Sequence, residues 1–154
     1  MSVIISQDVL KIESENGQFM GPARSNSYQY YYPEMVPSEL EGGFFKIYNN
    51  TREVKSGGFI KIHSLDKETW WHKGWRQRDL LGAFGDKKAL YYWSEYGNNT
   101  IWRVVKVDGQ EGDMIQSGDQ VYLVDNCFKK YLVPEGKWLT KTDDQHKWTL
   151  HLVC

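Results

Sequence analysis

The sequence predicts an all-β fold of short strands, and three observations predict it. Alanine, the best helix former, occurs only at Ala23, Ala83 and Ala89. Fourteen glycines break the 154 residues into short pieces. Between the breaks, β-branched and aromatic residues alternate with polar ones, the period of a strand with one buried face. Seven Trp, ten Tyr and six Phe supply bulk for a core, with some left for a surface.

Taken in order, the first strand is VLKIES (9–14), with an apolar partner at Met20, an aromatic strand over 28–32 and a closing strand FKIY (45–48). The second group starts at FIKIHS (59–64), continues at Trp70 and Trp71, then at 90–93, and closes on WRVV (102–105). One helical turn is expected over 79–81, where Gly82 and Gly85 limit its length. The third group runs from VYLVDN (121–126) through Tyr131 and Leu132, then Trp138 and Leu139, to WTLH (148–151). Strand order and chemistry repeat three times while loop length varies, as surface loops allow.

Three units of four short strands, each closed by an aromatic, resemble the β-trefoil family. The third unit, GDQVYLVDNCFKKYLVPEGKWLTKTDDQHKW, looks like a repeat of the ricin-B, fascin and amaranthin type. The resemblance implies one domain over 1–154, with three pseudo-repeats at about 8–56, 57–117 and 118–154. It implies a barrel that leaves no strand edge exposed. No unit keeps an intact Gln-x-Trp motif, because Gln145 stands one position too early before Trp148. Phe45, Trp102 and Trp148 are therefore expected in the core.

Sugar recognition pairs an aromatic face, for stacking, with planar amides or carboxylates for vicinal hydroxyls. The third unit offers Asp125, Asn126, Trp138 and Asp144, and the second offers Asp66, Trp93, Asn98 and Asn99. Trp75 joins the list as an exposed candidate. Each Asn or Asp also reads as a turn former and each aromatic as core. Their recurrence in two units is what favours a shallow carbohydrate site. The partners expected are glycans or glycoproteins, with several sites or a homo-oligomer supplying avidity.

A rival reading is a protein-interaction module, such as a protease inhibitor or cytoskeletal adaptor, acting through a Trp-rich loop at 69–88. A third is a toxin, haemagglutinin or defence protein that binds a cell surface through the same lectin sites. Nucleic acid is not expected as a partner. Nineteen basic residues against twenty acidic ones give a net charge of −1, so no broad positive field forms. The cations His72, Lys73, Arg76 and Arg78 among the tryptophans of 67–88 do not change that balance.

The longest apolar run, 89–93, falls far short of the roughly 18 residues a spanning helix needs, so no membrane insertion is expected. No signal peptide is visible at the start, which predicts a cytoplasmic protein or release by an unconventional route. No enzyme is expected either. The four histidines lack metal-ligand spacing, and no nucleophile elbow or phosphate loop occurs. Cys127 reads as a small core filler beside a strand. No cofactor is expected. The sequons at Asn49 and Asn98 read as chance, with Asn98 better used in a turn or a sugar site.

Overall fold

Alternation in sequence becomes alternation in burial. The computed structural model describes residues 2–25, 31–65, 80–83, 89–92 and 97–153. In β1 (Val9–Ser14), Leu10, Ile12 and Ser14 face inward. In β5 (Phe59–Ser64), Ile60, Ile62 and Ser64 do so, and in β9 (Gln120–Asp125) Val121, Leu123 and Asp125. Each of these strands pairs on both sides with a closing strand: β4 (Phe45–Tyr48), β8 (Trp102–Lys106) or β12 (Trp148–Leu152). The circuit β1-β4-β5-β8-β9-β12 returns to β1 through Leu10↔Leu152 and Ile12↔Leu150. It is a closed antiparallel barrel.

Outside it lie β2 (Phe19–Ser25) with β3 (Tyr31–Val36), β6 (Leu80–Ala83) with β7 (Ala89–Tyr92), and β10 (Tyr131–Glu135) with β11 (Trp138–Thr142). The three closing aromatics plug the barrel: Phe45, Trp102 and Trp148 are fully buried. A buried indole N–H needs an acceptor. Trp102 Nε1 donates to the Leu81 carbonyl at 2.9 Å, and Trp148 Nε1 to that of Leu132 at 2.9 Å. Phe45 has no such donor, and in its unit the Gly43 N–H donates to the Met20 carbonyl at 3.0 Å.

Three segments outside the named strands knit the barrel into a ring. The Ile4 N–H donates to Ile115, Ile115 to Val54, and Val54 back to Ile4, at 2.8 to 3.0 Å. All three side chains are fully buried. Backbone pairing and apolar burial thus close the same circle.

The expectation of a lectin-type β-trefoil with three equivalent four-stranded units is corrected to an all-β closed barrel with outer strands. The repetition holds in the barrel, and the second strand of each unit joins it through the first, at Glu13↔Phe19, His63↔Leu80 and Tyr131↔Val124. The outer layer adds an unequal pairing, β3 with β7 at Tyr31↔Tyr91, which merges two hairpins into one ladder. The helical turn expected at 79–81 is also corrected, since Leu80 and Leu81 lie in β6. Strand β6 is the second strand of its unit; Trp70 and Trp71 lie outside the described residues. Strand β3 is described over Tyr31–Val36; the expected positions 28–30 lie outside the described residues.

Candidate functional site

Three barrel strands end on a small polar residue that is nevertheless buried: Ser14, Ser64 and Asp125 are 2%, 1% and 0% exposed. The next residue in each case donates its N–H to the carbonyl before the closing aromatic. These bonds are Glu15 to Lys147 at 3.0 Å, Leu65 to Phe44 at 2.9 Å and Asn126 to Ile101 at 3.0 Å. Three equivalent junctions result. Their side chains make them different.

At the third junction the polar residue is a carboxylate, and the turn after it wraps around it. Asp125 Oδ1 accepts the Cys127 N–H at 3.0 Å and Oδ2 the Phe128 N–H at 2.7 Å. The Lys129 N–H donates to the Asp125 carbonyl at 2.9 Å, with Lys129 itself held at φ 60°. Burial raises the Asp125 pKa above its ordinary value of 3.8; the two N–H donors and the charges of Lys141 and Lys129 oppose the rise.

Around this turn the surface carries aromatics, amides and cations. Lys141 Nζ lies 4.6 Å from the centre of the exposed Phe128 ring. Lys129 Nζ donates to Asn126 Oδ1 at 2.8 Å, and Asn126 Nδ2 donates to Asn98 Oδ1 at 3.0 Å. Beside the turn, the half-buried rings of Tyr122 and Tyr131 meet edge to face at 5.7 Å. Gln145 Nε2 donates to the Tyr131 hydroxyl at 3.4 Å, and Lys130 pairs with exposed Asp143 at 3.6 Å. Such a face offers ring surface to a cation and ammonium groups to an anion.

The first junction is closed instead. Ser14 Oγ lies 2.7 Å from His146 Nε2, and His146 Nδ1 lies 3.2 Å from Glu15 Oε1. The His146 ring stands edge-on to Trp148 at 5.1 Å. Burial lowers the His146 pKa below 6.5, with Glu15 opposing. The atom order is that of a serine hydrolase triad. Ser14, however, is 2% exposed, so a substrate carbonyl has no approach to its hydroxyl. The second junction presents Leu65 and Phe44, with Lys11 Nζ 4.7 Å from the Phe44 ring.

The residues expected to hold a sugar fall in different places. Asp125 is corrected: it is fully buried and spends its carboxylate on its own turn. Asn99 donates to the Ala83 carbonyl at 3.0 Å and braces β6. Asn98 and Asn126 do come together, from two units, and Asp144 stands exposed with its N–H on Thr142 Oγ1. Trp138 is half-buried at the start of β11, with Lys137 Nζ 4.8 Å from its ring, while Leu139 is buried. Asp66, Trp75 and Trp93 lie outside the described residues, as does most of 69–88. Cys127, expected as core filler, is corrected to an exposed free thiol.

Tyr122, Phe128, Lys129, Tyr131, Lys141 and Gln145 were not anticipated as site residues. Alternation along β9 already places Tyr122 opposite the buried Val121 and Leu123, which was a usable signal. Nothing in the spacing of Gln145 or Lys141 announces their neighbours. Among the described residues no cluster of His, Cys, Asp and Glu suits a metal ion.

No protein-family model and no curated protein sequence matches the chain. Solved structures do. The lysenin pore matches at TM-score 0.72 and 16% identity, covering 100% of this chain and 49% of that one. A complex of lysenin with phosphocholine matches at TM-score 0.74 and 16% identity, covering 99% and 47%. A Caenorhabditis elegans protein of unknown function matches at TM-score 0.70 and 15% identity, covering 97% and 96%. The chain therefore spans about half the length of the lysenin chains. These likenesses show a shared fold, and they overturn the resemblance to ricin-B and amaranthin-type lectins.

Proposed function

We propose that this chain is a non-enzymatic binding domain for a headgroup displayed on a membrane surface, one that carries both a cation and a phosphate, with phosphocholine as the type. The observation that carries the proposal is the third-unit face. There the exposed Phe128 ring lies beside Lys141, and Lys129 on the same turn is held to Asn126. A quaternary ammonium has no proton to donate and is held by aromatic faces. A phosphate is held by ammonium groups and amide donors. Lys141 rests over Phe128, a ring placed to accept a cation. A fold shared with a protein solved with phosphocholine supports the same reading.

Titration calorimetry with phosphocholine tests it. A shallow exposed face of this kind predicts a dissociation constant on the order of millimolar, about 4 kcal/mol of binding. Phe128→Ala and Lys141→Ala each weaken it about tenfold, as expected for losing one cation–π or charge-assisted contact. A folded protein that binds neither phosphocholine nor phosphatidylcholine vesicles overturns the proposal.

A second reading, carbohydrate binding by a cell-surface lectin, keeps one favourable observation. Asn98 and Asn126 meet across two units and present amides at one exposed place. A glycan array with the parent protein and Asn126→Ala separates the readings. Signal lost with Asn126 but kept in Lys141→Ala favours the sugar.

A further inference from the structure

We propose that Asp125 is a positioning residue for the third-unit face, its buried carboxylate fixing the turn that aims Phe128 and Lys129 outward. The inference rests on the headgroup reading and deepens it. It begins from a comparison inside the molecule. The same strand-end slot is filled by Ser14, by Ser64 and by Asp125, all buried. Serine suffices twice. A carboxylate without exposed surface is the costlier occupant, because burying charge forfeits far more hydration than burying a hydroxyl. Where local stability is given up, the surrounding structure gains something else.

What the carboxylate gains is a second anchor. A hydroxyl has one oxygen: Ser14 Oγ takes the Asn16 N–H at 3.4 Å and relies on His146 for the rest. Asp125 has two oxygens and holds Cys127 and Phe128 separately, at 3.0 and 2.7 Å. With both amides fixed, the chain turns sharply enough to hold Lys129 in the left-handed region, where its N–H returns to the Asp125 carbonyl. Phe128 is thereby held 36% exposed instead of folding inward. Lys129 comes to reach Asn126 and, through it, Asn98 of the second unit.

The charges that face the carboxylate complete the case. They are Lys141 from β11 and Lys129 from the turn itself, both cationic. A negative charge beneath the face draws their ammonium groups toward one place and keeps Lys141 over Phe128. Asp125 touches no ligand. It acts through the turn.

The test is Asp125→Ser, which installs the residue that the barrel already accepts at Ser14 and Ser64. Amide hydrogen exchange at Cys127 and Phe128 is measured beside phosphocholine affinity from pH 4 to 7. The variant is expected to fold, to exchange at both amides at least about tenfold faster, and to bind phosphocholine about tenfold more weakly. Lys129→Ala, costly in the parent, adds nothing in the Asp125→Ser background. The phosphate of phosphocholine takes a proton at about pH 6 in either case, so affinity falls in both proteins, and the parental affinity falls further than that of the variant as pH drops into the carboxylate range. Asp125→Asn keeps the shape and one acceptor oxygen, and repeats every measurement should the serine variant not fold. Parental exchange at the two amides overturns the proposal, and so does parental affinity alongside faster exchange. A parent that binds no phosphocholine overturns the headgroup reading instead, and the hold of Asp125 on the turn is then judged by exchange alone.

Discussion

The first and third junctions solve one problem in opposite ways. Each ends a barrel strand on a buried polar side chain. At the first, Ser14 is satisfied by His146, a residue 132 positions away that arrives with the last barrel strand. At the third, Asp125 is satisfied two and three residues later by its own turn. The first solution stitches the chain's beginning to its end and needs a neutral ring. The second is local and needs a charge. Long-range satisfaction closes the barrel, whereas local satisfaction leaves Cys127, Phe128 and Lys129 exposed at the surface.

The largest expected effect tests what the two junctions share. Both lean on a fully buried indole, Trp148 beside the first and Trp102 beside the third. Trp148→Ala and Trp102→Ala each cost about 3–5 kcal/mol in urea unfolding, from the cavity they leave. The losses of the Leu132 and Leu81 carbonyl partners add to this. A loss under about 1 kcal/mol in either variant would break the symmetry of the comparison.

A smaller effect tests the difference. His146→Ala leaves the buried Ser14 hydroxyl without its acceptor, which costs about 1–3 kcal/mol. Adding Ser14→Ala removes the stranded hydroxyl and recovers part of that loss, a coupling read from a double-mutant cycle. Asn126→Ala at the third junction costs less, because its side chain is half-exposed and water replaces the lost bonds. Equal losses at His146 and Asn126 would contradict the division into closed and open junctions.

Acid separates the junctions by sign. Burial lowers the His146 pKa, so below about 6.5 the unfolded chain binds a proton that the folded chain refuses. The stabilisation from neutral His146 is present above that pH and is lost as pH falls through the folded value. Asp125 runs the other way. Its pKa is raised above 3.8, so the folded chain takes a proton first and its contribution to stability grows as pH falls. Urea midpoints at pH 7.5, 6.0 and 5.0 check this. The parent midpoint falls over that range and the fall shrinks in His146→Gln, which keeps an amide and does not titrate. An identical fall in both proteins assigns it to another group.

The barrel was legible because it is built from periodicity. Alternation in VLKIES, FIKIHS and VYLVDN marks which residues face inward, and the closing Phe45, Trp102 and Trp148 are core as their spacing suggests. The outer strands were less legible. Their bounds depend on loop lengths and on cross-unit pairs such as Tyr31↔Tyr91, which leave no periodic trace. The proposed face lies in the third unit, where the sequence also draws attention, but it uses other side chains. Asp125 has the composition of a sugar ligand, but the alternation that buries Val121 and Leu123 carries it inward too, as the sixth residue of β9. Tyr131 meets Gln145, and Lys141 meets Phe128, only when β10, β11 and the loops beside them are folded together.

The smallest effect on stability carries the sharpest test of which charges serve the open junction. Lys130 and Asp143 pair at 3.6 Å with side chains 41% and 87% exposed. An exposed pair of this kind contributes about 0–1 kcal/mol, and salt screens it further. Asp143→Asn therefore moves the unfolding free energy by at most about 1 kcal/mol. It also frees the Lys130 ammonium beside Tyr131 and removes a negative charge from the rim of the face. If phosphate is part of what this face holds, the variant binds phosphocholine about two- to threefold more tightly at low salt, a gain of the size exposed charges give. The gain disappears as the Debye length shrinks to about 3 Å near molar salt. A neutral sugar is indifferent to the same change. Tighter phosphocholine binding without a change in stability sets the open junction apart from the closed one, and an affinity that ignores both the substitution and the salt removes the phosphate from the proposed headgroup.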